Sequence, residues 1–148
     1  MPGIDESLLE AMLVPGARGA ALVDWVSGLA LGTIGEAPGG DHEAGAAELA
    51  ELARMTGEYT AFAATGGASG TAGAGGTRGA GGTGGTAPED AGVPEDLIVT
   101  TPTCYHLVRF LGPVLDGGVV LHLWLDRDLG NLALARMRMR DLAGRLVL

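Results

Sequence analysis

A tract rich in glycine, alanine and threonine near the middle of the chain constrains the fold more than any other feature. Between residues 66 and 85, 11 of the 20 residues are glycine. Such a stretch has few side chains whose burial would offset the backbone entropy lost on ordering. We therefore expect a flexible surface loop at about residues 65–92, which interrupts a single domain spanning residues 1–148. The tract lacks the G-K-[ST] sequence of a phosphate-binding loop.

Charge and composition exclude several classes of protein. The 148 residues include nine arginines, no lysine and 18 acidic residues, for a net charge of −9. A chain this acidic is a poor binder of nucleic acid, and without lysine it has no Schiff-base chemistry. The single cysteine, Cys104, excludes an intrachain disulfide. No targeting signal or apolar stretch of membrane-spanning length is visible, so we expect a cytoplasmic protein without membrane insertion.

Hydrophobic periodicity predicts two helices and a hairpin before the tract. Apolar residues spaced by three and four from Ile4 indicate a helix that ends at Pro15 and Gly16. Residues 17–25 and 29–34 form the predicted hairpin, and a second helix is predicted from Asp41, as its N-cap, to Phe62.

After the tract, the pattern predicts three strands and a final helix. The strands are expected at residues 96–101, 104–111 and 119–125, with a turn that begins at Gly112. The last strand is apolar on both faces and is placed near the sheet centre, and the final helix is predicted to begin at Asp128. The order α-β-β-α-β-β-β-α predicts a three-layer α/β/α sandwich around a central five-stranded antiparallel sheet.

The second helix presents two different apolar faces. Its large face consists of Leu49, Leu52, Tyr59 and Phe62. Its small face consists of Ala46, Ala50, Ala53, Gly57 and Ala61. Small side chains allow a close approach, so the small face could pack on the domain's own sheet or on a second helix across a homodimer axis. A third alternative leaves it exposed without a partner.

Cys104, His106 and His122 are the candidate metal ligands. If the two strands pair with His106 opposite His122 and Cys104 opposite Trp124, all three ligands lie on one face. Isolated histidines in strands are more often held by hydrogen bonds, so we predict no metal and no cofactor. His42, near a helix start, is expected to be solvated.

The chain shows no recognisable catalytic motif, and we predict that it is not an enzyme. It contains neither G-x-S-x-G nor H-E-x-x-H. Ser27 and Asp24 share a turn to which no histidine is tied, and a cysteine on a buried strand lacks the exposed, electropositive setting of a nucleophile.

Charge is distributed unevenly along the sequence. Residues 1–60 carry ten acidic residues and two arginines, whereas residues 127–148 carry five arginines and two acidic residues. The arginines of the final helix form either a solvated basic face or a docking face for a protein partner. They are not predicted to bind nucleic acid, because no aromatic residue is interleaved with them.

Five segments on either side of the tract carry a recognisable pattern. They are VPGARGAALVD at residues 14–24, SGLALG at 27–32, IVTT at 98–101, YHLVR at 105–109 and DRDLGNLALAR at 126–136. Together these segments resemble the bacterial roadblock/dynein light chain family. The resemblance covers about residues 4–62 and 94–147 and implies a profilin-like sandwich of the roadblock type. The glycine-rich tract departs from the compact family pattern by lengthening the connection after the second helix.

The resemblance implies a non-enzymatic regulator. Family members are small homodimers or heterodimers that bind small Ras-like GTPases in signalling and motility systems. Their sheets commonly join edge to edge through the third strand, with the second helices packed across the axis. Carried over to this sequence, the expected dimer interface consists of Ala46, Ala50, Ala53, Gly57, Leu97, Ile98, Val99, Thr100 and Thr101. The alternatives are a scaffold subunit without effect on a GTPase, and a small-ligand sensor or enzyme on a similar sandwich.

Overall fold

A computed structural model describes residues 3–62, 94–114 and 117–146. The loop predicted at residues 65–92 lies outside these ranges. The elements in chain order are α1 (Ile4–Ala11), β1 (Ala17–Asp24), β2 (Leu29–Gly35), α2 (His42–Glu58), β3 (Asp96–Thr100), β4 (Cys104–Val114), β5 (Gly117–Asp126) and α3 (Leu132–Arg145). Short 3-10 turns at Pro38–Gly40 and Thr60–Phe62 flank α2.

The five strands form one antiparallel sheet in the order β2-β1-β5-β4-β3. The most apolar strand, β5, lies at the centre of this sheet, as predicted from its two apolar faces. The edges are β2 and β3, one from each side of the glycine-rich tract. The predicted fold class and element order are confirmed.

Helices lie on both faces of the sheet. On one face, α1 and α3 cover a core that includes Leu8, Leu22, Leu121, Leu123, Leu125 and Met139. On the other face, α2 covers a smaller cluster of Val23, Ala46, Ala50, Ala53, Val108, Phe110 and Val120. None of the helices in the described ranges is long and apolar enough to cross a membrane.

Local hydrogen bonds decide where the helices begin. The Asp41 carboxylate accepts from the amides of Glu43 and Ala44, which confirms Asp41 as the N-cap of α2. The predicted start of α3 at Asp128 is wrong, because the Asp126 carboxylate accepts from the amides of Asp128 and Leu129 and holds a turn there. Asn131 caps the helix instead, by accepting from the amide of Leu134 at 3.0 Å.

Two other predicted boundaries are also wrong. Helix α2 ends at Glu58, and residues up to Phe62 continue as a 3-10 turn. Strand β4 does not turn at Gly112 but continues to Val114, because an irregularity after Leu111 lets the ladder resume.

The predicted register between β4 and β5 is wrong by two residues. His106 lies opposite Trp124, and Val108 lies opposite His122. Because a shift of two residues preserves the face on which each side chain lies, His106 and His122 still share a face of the sheet.

Candidate interaction surface

The small face of α2 packs against this chain's own sheet. Ala46, Ala50 and Ala53 are almost fully buried within one protomer. Gly57 lies beside the ring of Trp25, which follows β1. The predicted contact between two helices through these residues is therefore wrong. The first of the three alternatives, packing on the domain's own sheet, holds for the three alanines, whereas Ala61 is exposed. Alanine side chains let the helix approach the sheet closely, which leaves the larger side chains of α2 to point elsewhere.

The large face of α2 borders a groove above the outer strands of the sheet. Helix α2 packs mainly over β1 and β2, so part of the same face of β3 and β4 is left uncovered among the described residues. The α2–β3 groove is defined by Leu49, Leu52, Met55, Tyr59 and Phe62 on the helix side and by Leu97 and Val99 on β3. Two cavities of about 300 and 400 Å³ lie along this groove and share Leu52.

Large apolar side chains in the α2–β3 groove reach solvent. Met55, Tyr59 and Phe62 are 44%, 54% and 56% exposed. A cluster of exposed apolar side chains beside a groove is typical of an interaction surface. The helical projection already separates this large face from the small one. Met55 is the member that sequence analysis missed.

Strand β3 forms one wall of the groove and one edge of the sheet. It pairs with β4 on one side, and no described strand pairs with its other side. Val99 is exposed on the groove face, whereas Ile98 packs into the core on the opposite face. Thr101 lies beyond the strand, and its hydroxyl accepts from the amide of Cys104 at 2.9 Å. The backbone of β3 is thus available for pairing with another strand.

A pair of histidines lies beneath the groove. His106 Nδ1 and His122 Nε2 are 3.0 Å apart, so one ring donates a hydrogen bond to the other. Burial and the neighbouring His106 lower the pKa of His122 to about 4, and burial lowers the pKa of His106. His42 lines the same cavity and is half-buried, with Nε2 3.3 Å from the carbonyl oxygen of Gly35. His42 is thus partly exposed, as expected, and partly held against the carbonyl of Gly35.

Trp124 and Arg18 stack next to the histidine pair and extend it into a row of side chains. Trp124 stacks on His106 with ring centroids 6.0 Å apart, and the Arg18 guanidinium lies 4.1 Å from the centre of the Trp124 ring. Glu36 accepts from Arg18 Nε at 3.1 Å.

Cys104 lies beside this row and apart from the histidine pair. Its sulfur is 3.5 Å from the Thr103 hydroxyl and 3.7 Å from Arg18 Nη1. The pKa of the Cys104 thiol lies below its ordinary value, and the hydrogen bond with Thr103 is the main cause. Among the described residues, no three His, Cys, Asp or Glu side chains are placed to share a metal ion. The structure thus joins two of the three candidate ligands and separates the third.

The arginines of α3 are divided between ion pairs and solvent. Arg136 Nε donates to Asp96 at 3.0 Å, and Arg145 Nη2 donates to Glu10 at 2.7 Å. Arg138 and Arg140 are exposed on the same helix. On the opposite side of α3, Ala135, Met139 and Leu142 are buried.

Comparison with solved structures returns matches over most of the chain. A Roadblock/LC7 domain from Streptomyces avermitilis is 16% identical with a TM-score of 0.65, and the match covers 97% of this chain and 93% of that one. MglB of Myxococcus xanthus is 14% identical with a TM-score of 0.61, and the match covers 93% of this chain and 77% of that one. No protein-family model and no curated protein matches the sequence. The resemblance identified from sequence motifs is thus confirmed in the fold.

Proposed function

Because this chain has the Roadblock/LC7 fold, we propose that it is a dimeric, non-enzymatic regulator that binds a small Ras-like GTPase in a bacterial signalling system. The observation that carries this proposal is the α2–β3 groove beside the free edge of β3. The fold supplies the framework, and these two features supply a surface that another protein can bind.

A second copy of this chain fits the free edge and the groove together. Two β3 strands that pair antiparallel about a twofold axis would join their sheets. The same axis would bring the groove of each copy against α2 of the other, which would bury Met55, Tyr59 and Phe62. In this dimer, the large face of α2 replaces the small face as the helix contact, while Leu97–Thr100 of β3 remains the proposed edge.

Substitution of Met55 tests the dimer. Met55→Glu should give a folded monomer, because two copies of a new carboxylate would lose water in an apolar interface. Met137→Glu is the matched control, since Met137 is an exposed methionine on α3, away from the groove. Light scattering should show a dimer for the native chain and for the control. An unchanged dimer for Met55→Glu contradicts the groove contact.

The GTPase part of the proposal is supported by the family resemblance together with the matching fold. The exposed arginines of α3 offer a basic surface on an otherwise acidic chain, and such a surface can orient an acidic partner. We propose that this chain contributes contact rather than catalytic residues to the complex.

Retention of nucleotide-loaded GTPases tests the partner. The immobilised chain is exposed to a panel of small Ras-like GTPases loaded with GDP or with a non-hydrolysable GTP analogue. Retention that differs between the two nucleotides supports regulation. Equal retention supports the alternative, a scaffold subunit without effect on GTPase activity. Failure to retain any member of the panel contradicts the GTPase part of the proposal.

A further inference from the structure

The floor of the α2–β3 groove combines an apolar lining with two imidazoles in contact. The cavity of about 300 Å³ over this floor is bounded by Leu49, Leu52 and Val99 and has His106 and His122 at its base. His122 is almost fully buried, whereas His106 retains partial contact with solvent. While both rings are neutral, one of them donates a single hydrogen bond to the other, between His106 Nδ1 and His122 Nε2.

Few charged groups face this histidine pair. Helix α2 contributes His42 and Glu48 to the cavity lining, whereas the lining residues from β1, β3 and the turn before α2 are not titratable. Beyond Trp124, the row ends at the paired Arg18 and Glu36. Burial lowers the pKa of His106. Among the described residues, no carboxylate forms a hydrogen bond or an ion pair with either ring, so a proton taken up by the pair meets no anionic partner there.

We propose that the His106–His122 pair makes self-association of this chain depend on pH, with the second copy bound when the pair is neutral and released when the pair takes up a proton. This inference rests on the proposed dimer. In the free protomer, His106 can carry the charge because its imidazole still reaches water. In the dimer, α2 of the second copy would remove that water and leave an unpaired charge in an apolar interface.

Proton linkage sets the size of the effect. A protonated protomer must release its proton before it can pair, so up to two protons leave for every dimer formed. When half of the free protomers are protonated, the dissociation constant is about fourfold higher than at neutral pH, and it rises more steeply below that point. Because His122 is the more deeply buried of the two, His106 is the ring that accepts the proton.

Sedimentation equilibrium of the full chain from about pH 7.5 to about pH 5.0 tests the inference. The dissociation constant of the native chain should rise as the pH falls, and it reaches about fourfold its neutral-pH value where half of the free protomers are protonated. It should stay constant for His106→Gln, which keeps an amide in place of the titratable ring. His42→Gln is the matched control, because His42 lines the same cavity from α2, and it should retain the native pH dependence.

The outcomes separate this inference from the proposed function. A native dimer whose dissociation constant does not change with pH overturns the histidine switch and leaves the dimer intact. A monomer at every pH contradicts the proposed dimer and the switch together. If the pH dependence persists in a folded His106→Gln variant, the proton binds elsewhere. The same follows if the pH dependence disappears in His42→Gln. Either result overturns the role of the pair. Circular dichroism at each pH establishes that the chain remains folded. If His106→Gln does not fold, the dissociation constant of the native chain as a function of pH tests the inference by itself.

Discussion

His122 is buried on the central strand of the sheet, and the only described hydrogen-bond partner of its side chain is the ring of His106. Both residues can be identified in the sequence, but their contact depends on a register that the sequence does not specify. The pairing expected from the hairpin placed His106 opposite His122, whereas the structure joins the two rings diagonally across β4 and β5. The contact survives because diagonal neighbours on one face remain within reach of large side chains.

The pKa of His122 predicts a loss of stability in acid. Its pKa is about 4 in the folded chain and near the ordinary value of 6.5 in the unfolded chain. Between these values the unfolded state binds more protons than the folded state. The contribution of neutral His122 to the free energy of unfolding is therefore fully present above about pH 6.5 and is lost as the pH decreases towards about 4. The free energy of unfolding should decrease by about 3 kcal/mol over this range, at about 1.4 kcal/mol per pH unit.

Chemical denaturation at several pH values measures this loss. The experiment uses the Met55→Glu background, so that dissociation of the proposed dimer does not contribute. In the same background, His122→Gln should show a shallower decline, because it lacks the ring that is kept neutral by burial. Parallel curves for the two proteins would show that His122 does not supply the effect.

Helix α2 shows what amphipathic periodicity can and cannot decide about an element. The projection correctly separates a small face from a large face, and it predicts the capping role of Asp41. Periodicity does not state which apolar face meets the sheet, because burial of either face is favourable. The structure places the alanines inward, since close approach to the sheet allows tight packing, and leaves the larger side chains beside a free strand edge.

The orientation of α2 predicts opposite outcomes for two alanines on the same helix. Ala50 is fully buried against the sheet, whereas Ala47 is exposed. Ala50→Glu should lower the free energy of unfolding by about 4 kcal/mol, because a carboxylate without a partner would be forced into the core. Ala47→Glu should change it by less than about 0.5 kcal/mol. Urea denaturation distinguishes the two, and equal stability of both variants would contradict the inward orientation of the small face.

At the scale of the whole molecule, the two blocks on either side of the glycine-rich tract contribute to one sheet. Strand β1 from the first block pairs with β5 from the second, and α1 shares a core with α3. The salt bridge between Glu10 and Arg145 joins the two ends of the chain. These contacts support the proposed single domain, because each block completes the core of the other.

Removal of residues 66–88 tests whether the tract contributes to this domain. We predict that the deletion changes the thermal midpoint by less than about 2 °C, since loop closure entropy depends only weakly on length. Calorimetry of the native and shortened chains measures the difference. A fall of about 10 °C or more would show that the tract packs against the domain.

The sequence by itself determined the element order, the fold class and the central position of β5, because turn residues and apolar periodicity act over short stretches of chain. It also singled out the histidines and both faces of α2. The tertiary structure alone decided that the alanine face packs inward, that β4 and β5 pair two residues away from the expected register, and that a groove remains beside β3. These features depend on how side chains from distant segments fill a shared volume, and no local pattern in the sequence encodes that fit.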